Sequence, residues 1–235
     1  MLPELDVAGQ QRLAQSRVLV VGAGGLGSPA ALYLGAAGVG ELRIVDDDTV
    51  ELSNLQRQIA HRQMDLGLAK AESAAAAVAA RNPEVRTVAL QERLEGARLA
   101  AEATAADVVV DATDNFATRF ALNAACVAAQ RPLVSAAVIR WELQVSTFRA
   151  GGQPCYRCLY PEDGEAQLTC SEAGVLGPLP GVGGSLEAVE AIKVLTGAGE
   201  PLYGRLMLLD ALRMRLRTLH APPDPACPVC APAAQ

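Results

Sequence analysis

VLVVGAGGLGS, residues 18–28, joins an apolar run to a glycine turn, and its reading decides the fold. Four apolar residues, Val18 to Val21, suit a strand buried on both faces. Gly22, Gly24 and Gly27 follow in the G-x-G-x-x-G spacing that carries a strand into a helix. Such a turn lets the backbone approach a phosphate at a helix N-terminus. Asp46, the acidic end of the next strand ELRIVD, stands where a ribose diol lies in such folds. Alone, the fingerprint fits NAD, FAD or any other pyrophosphate-bearing ligand. A tight turn with no ligand is the plainer alternative.

Outward from this stretch the pattern repeats. A helix is expected over about 26–37, ended by Gly38 and Gly40, then a strand over 41–46. Residues 47–67 are polar and irregular, with short helical turns at most. A helix over 68–83, a strand over 85–90 and a helix over 96–105 follow. ADVVVDATD (106–114) reads as a central parallel strand with an acidic end, FATRFALNAACVAAQ as a helix and PLVSAAV as a strand. This order predicts an α/β fold, a doubly wound, Rossmann-like and mostly parallel sheet. After Arg140 the pattern changes. ELQVSTFRA alternates as a two-sided strand, 155–182 reads as a long loop and 184–197 as an amphipathic helix. Residues 205–219 suggest an antiparallel pair around Asp210. One domain over 1–235 is expected, with a nucleotide-binding half to about 140 and a second half from about 141.

Composition sets the limits. Of the 235 residues, 51% are hydrophobic, enough for one sizeable core, and with only 3% aromatic it must be aliphatic. The net charge is −6 and no Lys/Arg run stands out, which argues against nucleic-acid binding. No apolar run approaches the roughly 20 residues that span a bilayer. The start, MLPELDVAGQQRLAQSRV, lacks the charged-then-apolar order of a secretory signal, so the cytoplasm is expected. Thiols stay reduced there, and the six cysteines need a reading other than disulfides.

Four constellations carry chemistry. The glycine turn with Asp46 is the first. The second is DDDTVELSNLQRQ (46–58) with Lys70: Asn54, Arg57 and Lys70 follow the second strand. An Arg that clamps two oxygens and a Lys point charge suit a polyphosphate better than a dinucleotide; ordinary surface charges are the alternative. The third is Asp114-Asn115, at the carboxyl end of a central strand, either a Mg²⁺ ligand beside a triphosphate or an N-cap for the next helix. The fourth is the pair of C-x-x-C motifs, Cys155/Cys158 and Cys227/Cys230, which suggests a closed tetrahedral zinc site rather than a redox dithiol. Cys126 lies in an apolar helix and reads as core. Cys170, in QLTCSEAGV, is either a nucleophile or a free loop thiol.

Together VVGAGGLGS, IVDDD, SNLQRQ, the Lys70 helix, DATDN, PCYRC, LTCSEAGV and CPVC resemble the ThiF/MoeB/HesA family, bacterial relatives of the ubiquitin-activating enzymes, from about Val7 to Cys230. The resemblance implies a homodimeric adenylyltransferase. It would use ATP and Mg²⁺ to activate the C-terminal Gly-Gly of a ubiquitin-like sulfur carrier, ThiS- or MoaD-like, for thiamin or molybdopterin biosynthesis, with a sulfur donor protein as a further partner. It implies that Gly22, Gly24, Gly25 and Gly27 line the phosphates and that Asp46 and Asp48 belong to the nucleotide site, Asp46 on the ribose. Ser53, Asn54, Leu55, Gln56, Arg57 and Lys70 would hold the phosphates, and Asp114 with Asn115 would serve Mg²⁺ and catalysis. Cys155, Cys158, Cys227 and Cys230 match the zinc cysteines. Cys170 matches a cysteine that links covalently to the carrier in some members. Members usually open with an R-Y-x-R-Q segment that reaches the partner subunit's nucleotide, and MLPELDVAGQQRL begins just after its expected place. No rhodanese-like extension is expected after CPVC. Two other classes compete: an NAD(P)-dependent oxidoreductase, and a zinc-stabilised scaffold that binds the carrier without catalysis.

Overall fold

The computed structural model describes residues 2–160 and 174–231. Its frame is one eight-stranded sheet in the order β3-β2-β1-β4-β5-β6-β7-β8. Strands β1 (Arg17–Val21), β2 (Glu41–Val45), β3 (Arg86–Leu90), β4 (Val108–Asp111) and β5 (Leu133–Ile139) run parallel. The remaining three, β6 (Glu142–Phe148), β7 (Arg205–Asp210) and β8 (Arg215–His220), add on antiparallel. The change of pattern expected after Arg140 is the change from parallel to antiparallel pairing.

Helices cover both faces of the parallel strands, which is why those strands read as unbroken apolar runs. One layer holds α1 (Asp6–Gln15), α2 (Gly27–Ala37), α3 (Lys70–Ala79) and α7 (Pro178–Thr196), packed through Leu13, Leu34, Val78 and Ala191. The other holds α4 (Gly96–Ala105), α5 (Phe116–Ala128) and the single turn α6 (Tyr156–Leu159), packed through Leu99, Leu122 and Tyr156. Cys126 is buried there, and burial pushes its thiol up to about 12.

Two elements depart from the sequence expectation. Helix α7 begins at Pro178, six residues before the expected 184. Pro178 and Pro180 fall in its first turn, where backbone N–H groups have no intrahelical acceptor, so proline costs nothing there. Part of the expected 155–182 loop is therefore helical, as is the turn α6. Helix α1 carries little amphipathic signal because only Gly9 and Leu13 of its ten residues are buried.

Register positions the site. Val21 pairs with both Val45 and Asp111, so β1, β2 and β4 end level. The chain crosses over between β1 and β4, which makes their carboxyl ends the switch point where an open α/β sheet leaves a crevice.

Candidate active site

The glycine turn occupies that crevice. Gly22 has φ +97°, and a Cβ on it would stand 2.6 Å from the Ala112 carbonyl oxygen after β4. A Cβ on Gly27 would stand 1.7 Å from the Gly22 carbonyl oxygen. These two glycines shape the turn: one takes a left-handed conformation, and the other lets α2 start against the strand end. Gly24 and Gly25 remain on the wall of a cavity of about 210 Å³.

Asp46 faces this turn. Its carboxylate accepts the Ala23 N–H at 2.7 Å and the Asp48 N–H at 2.9 Å. Burial raises its pKa, against the pull of those two bonds. Lys70, the first residue of α3, is buried and places Nζ 2.7 Å from Asp48 Oδ2. Arg57 reaches the same wall, its Nη1 donating to the Ser53 carbonyl at 3.3 Å. The cavity thus collects Gly22, Gly24, Gly25, Asp46, Asp48, Arg57, Lys70, Asp114 and Asn115. Gly27, Ser53, Asn54, Leu55 and Gln56 are not on its wall. Asn54 instead closes a capping box, accepting the Glu51 N–H at 3.2 Å.

At the end of β4, fully buried Asp111 fixes the DATDN turn. It accepts Thr113 Oγ1 at 2.6 Å and Ser135 Oγ at 2.8 Å. Asn115 caps α5, accepting the Thr118 N–H at 2.9 Å. Of the two residues offered as an N-cap, Asn115 takes that bond. The exposed Asp114 carboxylate makes no hydrogen bond to any described residue, and a hydrated Mg²⁺ needs such a free carboxylate beside phosphate oxygens.

A second cavity, of about 490 Å³, runs along the sheet face between the start of α5 and strands β5 to β8. Ile139, Leu143, Leu208 and Leu209 line it, with Tyr160 and Arg217. Asp114, Arg119 and Val138 border both cavities. Reading the sequence missed Arg119. It is buried and donates to the carbonyls of Thr113 and Ala136, the latter at 3.2 Å. The available signal was an Arg on the stripe 119, 122, 123, 126 that α5 buries. Gln58 was also missed: buried on the first cavity's wall, its Oε1 has no partner among the described residues.

The four C-x-x-C thiols converge beside α5, against Val127. Their sulfurs all lie within 4.8 Å of one another, with Cys155 and Cys227 at 3.7 Å and Cys158 and Cys230 at 3.5 Å. A tetrahedron with Zn–S bonds of about 2.3 Å spaces its sulfurs at about 3.8 Å, so the cluster fits zinc. Asn123 Nδ2 lies 3.5 Å from Cys155 Sγ, a donor suited to a thiolate. Burial pushes the Cys227 thiol up, but the Cys230 and Val229 N–H groups and the neighbouring thiols outweigh it, to about 7. Cys170 lies outside the described residues.

The profile of the ThiF family matches residues 1–229. The molybdopterin-synthase adenylyltransferase of Escherichia coli is 48% identical over 231 residues, 98% of this chain and 93% of that protein. A maize protein named adenylyltransferase and sulfurtransferase MOCS3-1 is 50% identical over 221 residues, 93% of this chain. The chain spans only 47% of that protein's length. Among solved structures, the crystal structure of E. coli MccB superposes with a TM-score of 0.86, covering 97% of this chain and 69% of that one. At 21% identity, this last likeness speaks for the fold alone.

Proposed function

The chain belongs to the ThiF family, and from that membership we propose that it is an ATP-dependent adenylyltransferase. Its substrate is the C-terminal Gly-Gly carboxylate of a ubiquitin-like sulfur carrier, and its product is an acyl-adenylate. The observation that carries this reading is the junction at Asp114. One cavity offers a phosphate turn and cations, the other a larger trough lined by both aliphatic side chains and the charged Glu142, Asp210, Arg215 and Arg217, and Asp114 and Arg119 border both. The reaction needs a nucleotide and a peptide terminus to meet at one such point.

A terminal carboxylate has an ordinary pKa of about 3.3–3.7, so near pH 7 it is already a nucleophile and needs no base. The barrier is repulsion between that anion and a polyphosphate. A carboxylate oxygen bonds to the α-phosphorus, the α–β phosphoanhydride bond breaks, and its electron pair leaves on pyrophosphate. No proton moves. What the chain supplies is position and positive field: the Gly24 and Gly25 N–H groups, Arg57 and Lys70. Lys70 exchanges its Asp48 partner for phosphate oxygen. Asp46 takes the ribose with the lone pairs its two backbone bonds leave over. Asp114 would hold Mg²⁺ with Asn115 beside it, and the ion neutralises phosphate charge when bound. Cys155, Cys158, Cys227 and Cys230 would hold zinc, which ties the C-terminal segment to the loop after β6.

We extend the reading to a homodimer, supported by the exposed Leu52, Ile59 and Met64 after β2 and Val182 and Val189 on α7. A sulfur donor protein would act on the acyl-adenylate, with Cys170 open to a covalent role. No helix among the described residues is long and apolar enough to cross a membrane. The cytoplasm, which keeps such thiols reduced for a metal, suits the cysteine set.

Pyrophosphate exchange into ATP, dependent on a Gly-Gly-ended carrier, tests the proposal. Exchange with ThiS-like or MoaD-like carriers is expected, and which one supports it assigns the pathway. No exchange with either, together with tight NADH binding, overturns it in favour of an oxidoreductase.

A further inference from the structure

We propose that His61 is a positioning residue for the nucleotide, clamping the glycine turn so that the Gly24 N–H stays directed at the phosphates; this rests on the reading of the first cavity as the ATP site. His61 is buried, in the polar stretch between β2 and α3. Its Nε2 lies 2.9 Å from the Ala23 carbonyl oxygen, inside the turn, and its Nδ1 lies 2.9 Å from Ser73 Oγ on α3. A carbonyl oxygen only accepts, so Nε2 carries the proton. Burial holds the imidazole pKa below its ordinary value, so near pH 7 Nδ1 is bare and faces Ser73 Oγ, a hydroxyl that also reaches Asp65 Oδ2 at 3.2 Å. The Ala23 carbonyl thus fixes the tautomer, and Ser73, bridging Nδ1 and Asp65, holds the ring in place.

The grip has a direction. In a trans peptide the C=O and the following N–H point to opposite sides. Holding the Ala23 carbonyl toward His61 turns the Gly24 N–H the other way, and Gly24 lines the cavity. Neither the Gly24 nor the Gly25 N–H has an acceptor among the described residues, so both are available to an anion. Ala23 is held from both ends, its N–H by Asp46 at 2.7 Å and its carbonyl by His61, with Ser28 Oγ adding a bond at 3.2 Å. His61 thereby couples the phosphate turn to α3, the helix whose first residue is Lys70. It does not touch the ligand; a histidine that merely filled the core would stabilise the fold without favouring one substrate over the other.

The full chain decides between these roles through ATP affinity by calorimetry, KM for ATP and for the carrier in the exchange assay, and the melting midpoint without ligand. His61→Phe keeps the bulk and loses the Nε2 donor. It is expected to weaken ATP about threefold to tenfold while KM for the carrier holds. His61→Gln, whose amide nitrogen can replace Nε2, is expected to return ATP affinity to within about twofold of the parent. Adding Ser28→Ala to His61→Phe deepens the loss. If His61→Phe fails to fold, His61→Asn takes its place, because the shorter amide reaches Ser73 and not Ala23. ATP binding by His61→Phe equal to the parent's overturns the inference. So does a His61→Gln variant as impaired as His61→Phe, or a loss that moves both KM values together. A parent chain that binds no ATP overturns the reading of the cavity itself, and that result is seen before any variant is made.

Discussion

The parallel and antiparallel halves of the sheet build their sites by different means. In the parallel half the strand ends do the work: β1, β2 and β4 stop level, and the turns after them bring Gly24, Asp46 and Asp114 to one cavity. Helices cover both faces, and that cavity is lined mainly by backbone turns and charged groups. In the antiparallel half the strand faces do the work. Strands β5 to β8 present side chains along a trough, while β8 is exposed along its whole length. The segments that follow β6 and β8 bring four thiols together, Cys155, Cys158, Cys227 and Cys230. On the proposed function the contrast is a division of labour: charge handling falls where backbone geometry is rigidly set, and recognition of a chain end on the open face beside the four-thiol cluster.

The sharpest way to break this comparison is to separate chemistry from stability. Asp114→Ala removes a carboxylate that bonds no described residue, so the melting midpoint should stay put. Exchange should fall by about 100- to 1,000-fold, the scale of losing one preorganised charge interaction in a transition state. Unchanged exchange would remove Asp114 from the reaction. Cys227→Ser tests the other side. Losing one of four zinc ligands should cost on the order of 3 kcal/mol and lower the midpoint by roughly 10 °C. Exchange measured well below the midpoint should persist. Metal analysis of the parent should find about one zinc per chain, the ratio for a four-ligand site; none, with four titratable thiols, would leave the antiparallel half without its cross-link.

Legibility in the sequence follows the same divide. The parallel half was legible because strands buried on both faces are unbroken apolar runs, and because Gly22 and Gly27 are demanded by sterics rather than taste. DATDN was legible as the turn at the end of a central strand, although the sequence left open whether Asp114 or Asn115 caps the next helix, a bond Asn115 takes. The cysteine spacing named the cluster although Cys158 and Cys227 lie far apart in the chain. What stayed hidden were polar side chains buried by distant parts of the chain. His61, one of the chain's two histidines, lies in a polar stretch, and only the fold shows that Ala23 and Ser73 enclose it. Arg119 and Asn123 share the buried stripe of α5 with Leu122 and Cys126, and each serves a different site. The start of α7 was hidden for a third reason, since proline breaks a helix inside but is at home in its first turn.

Lys70→Met grades the charge handling of the parallel half. It keeps the buried stem and deletes the ammonium that now pairs with Asp48. KM for ATP should rise about tenfold, in line with one charge-assisted hydrogen bond, and KM for the carrier should not change. A rise in both would mean that the two cavities are not separable at this residue.

The smallest expected effect lies beneath both halves. Glu187 on α7 is fully buried, and neither carboxyl oxygen has a hydrogen-bond partner among the described residues. Burial raises its pKa well above the ordinary carboxylate range and Asp111 adds to the rise, while Arg119 and the nearby Ala136 backbone oppose it without outweighing it. The folded chain therefore keeps this proton where the unfolded chain loses it, near pH 4.3 as an approximate ordinary value. Between that pH and the raised folded value the unfolded state binds fewer protons, so stability falls as pH rises. Glu187→Gln removes the titration and keeps the shape. Its midpoint should exceed the parent's at pH 8 by a few degrees, about 2–4 °C for each kcal/mol relieved. The gap should close as pH falls toward 4. A gap that is the same at both pH values would mean that Glu187 is ionised in the fold and paired, and the floor shared by the two halves would then be a charge network rather than a neutral one.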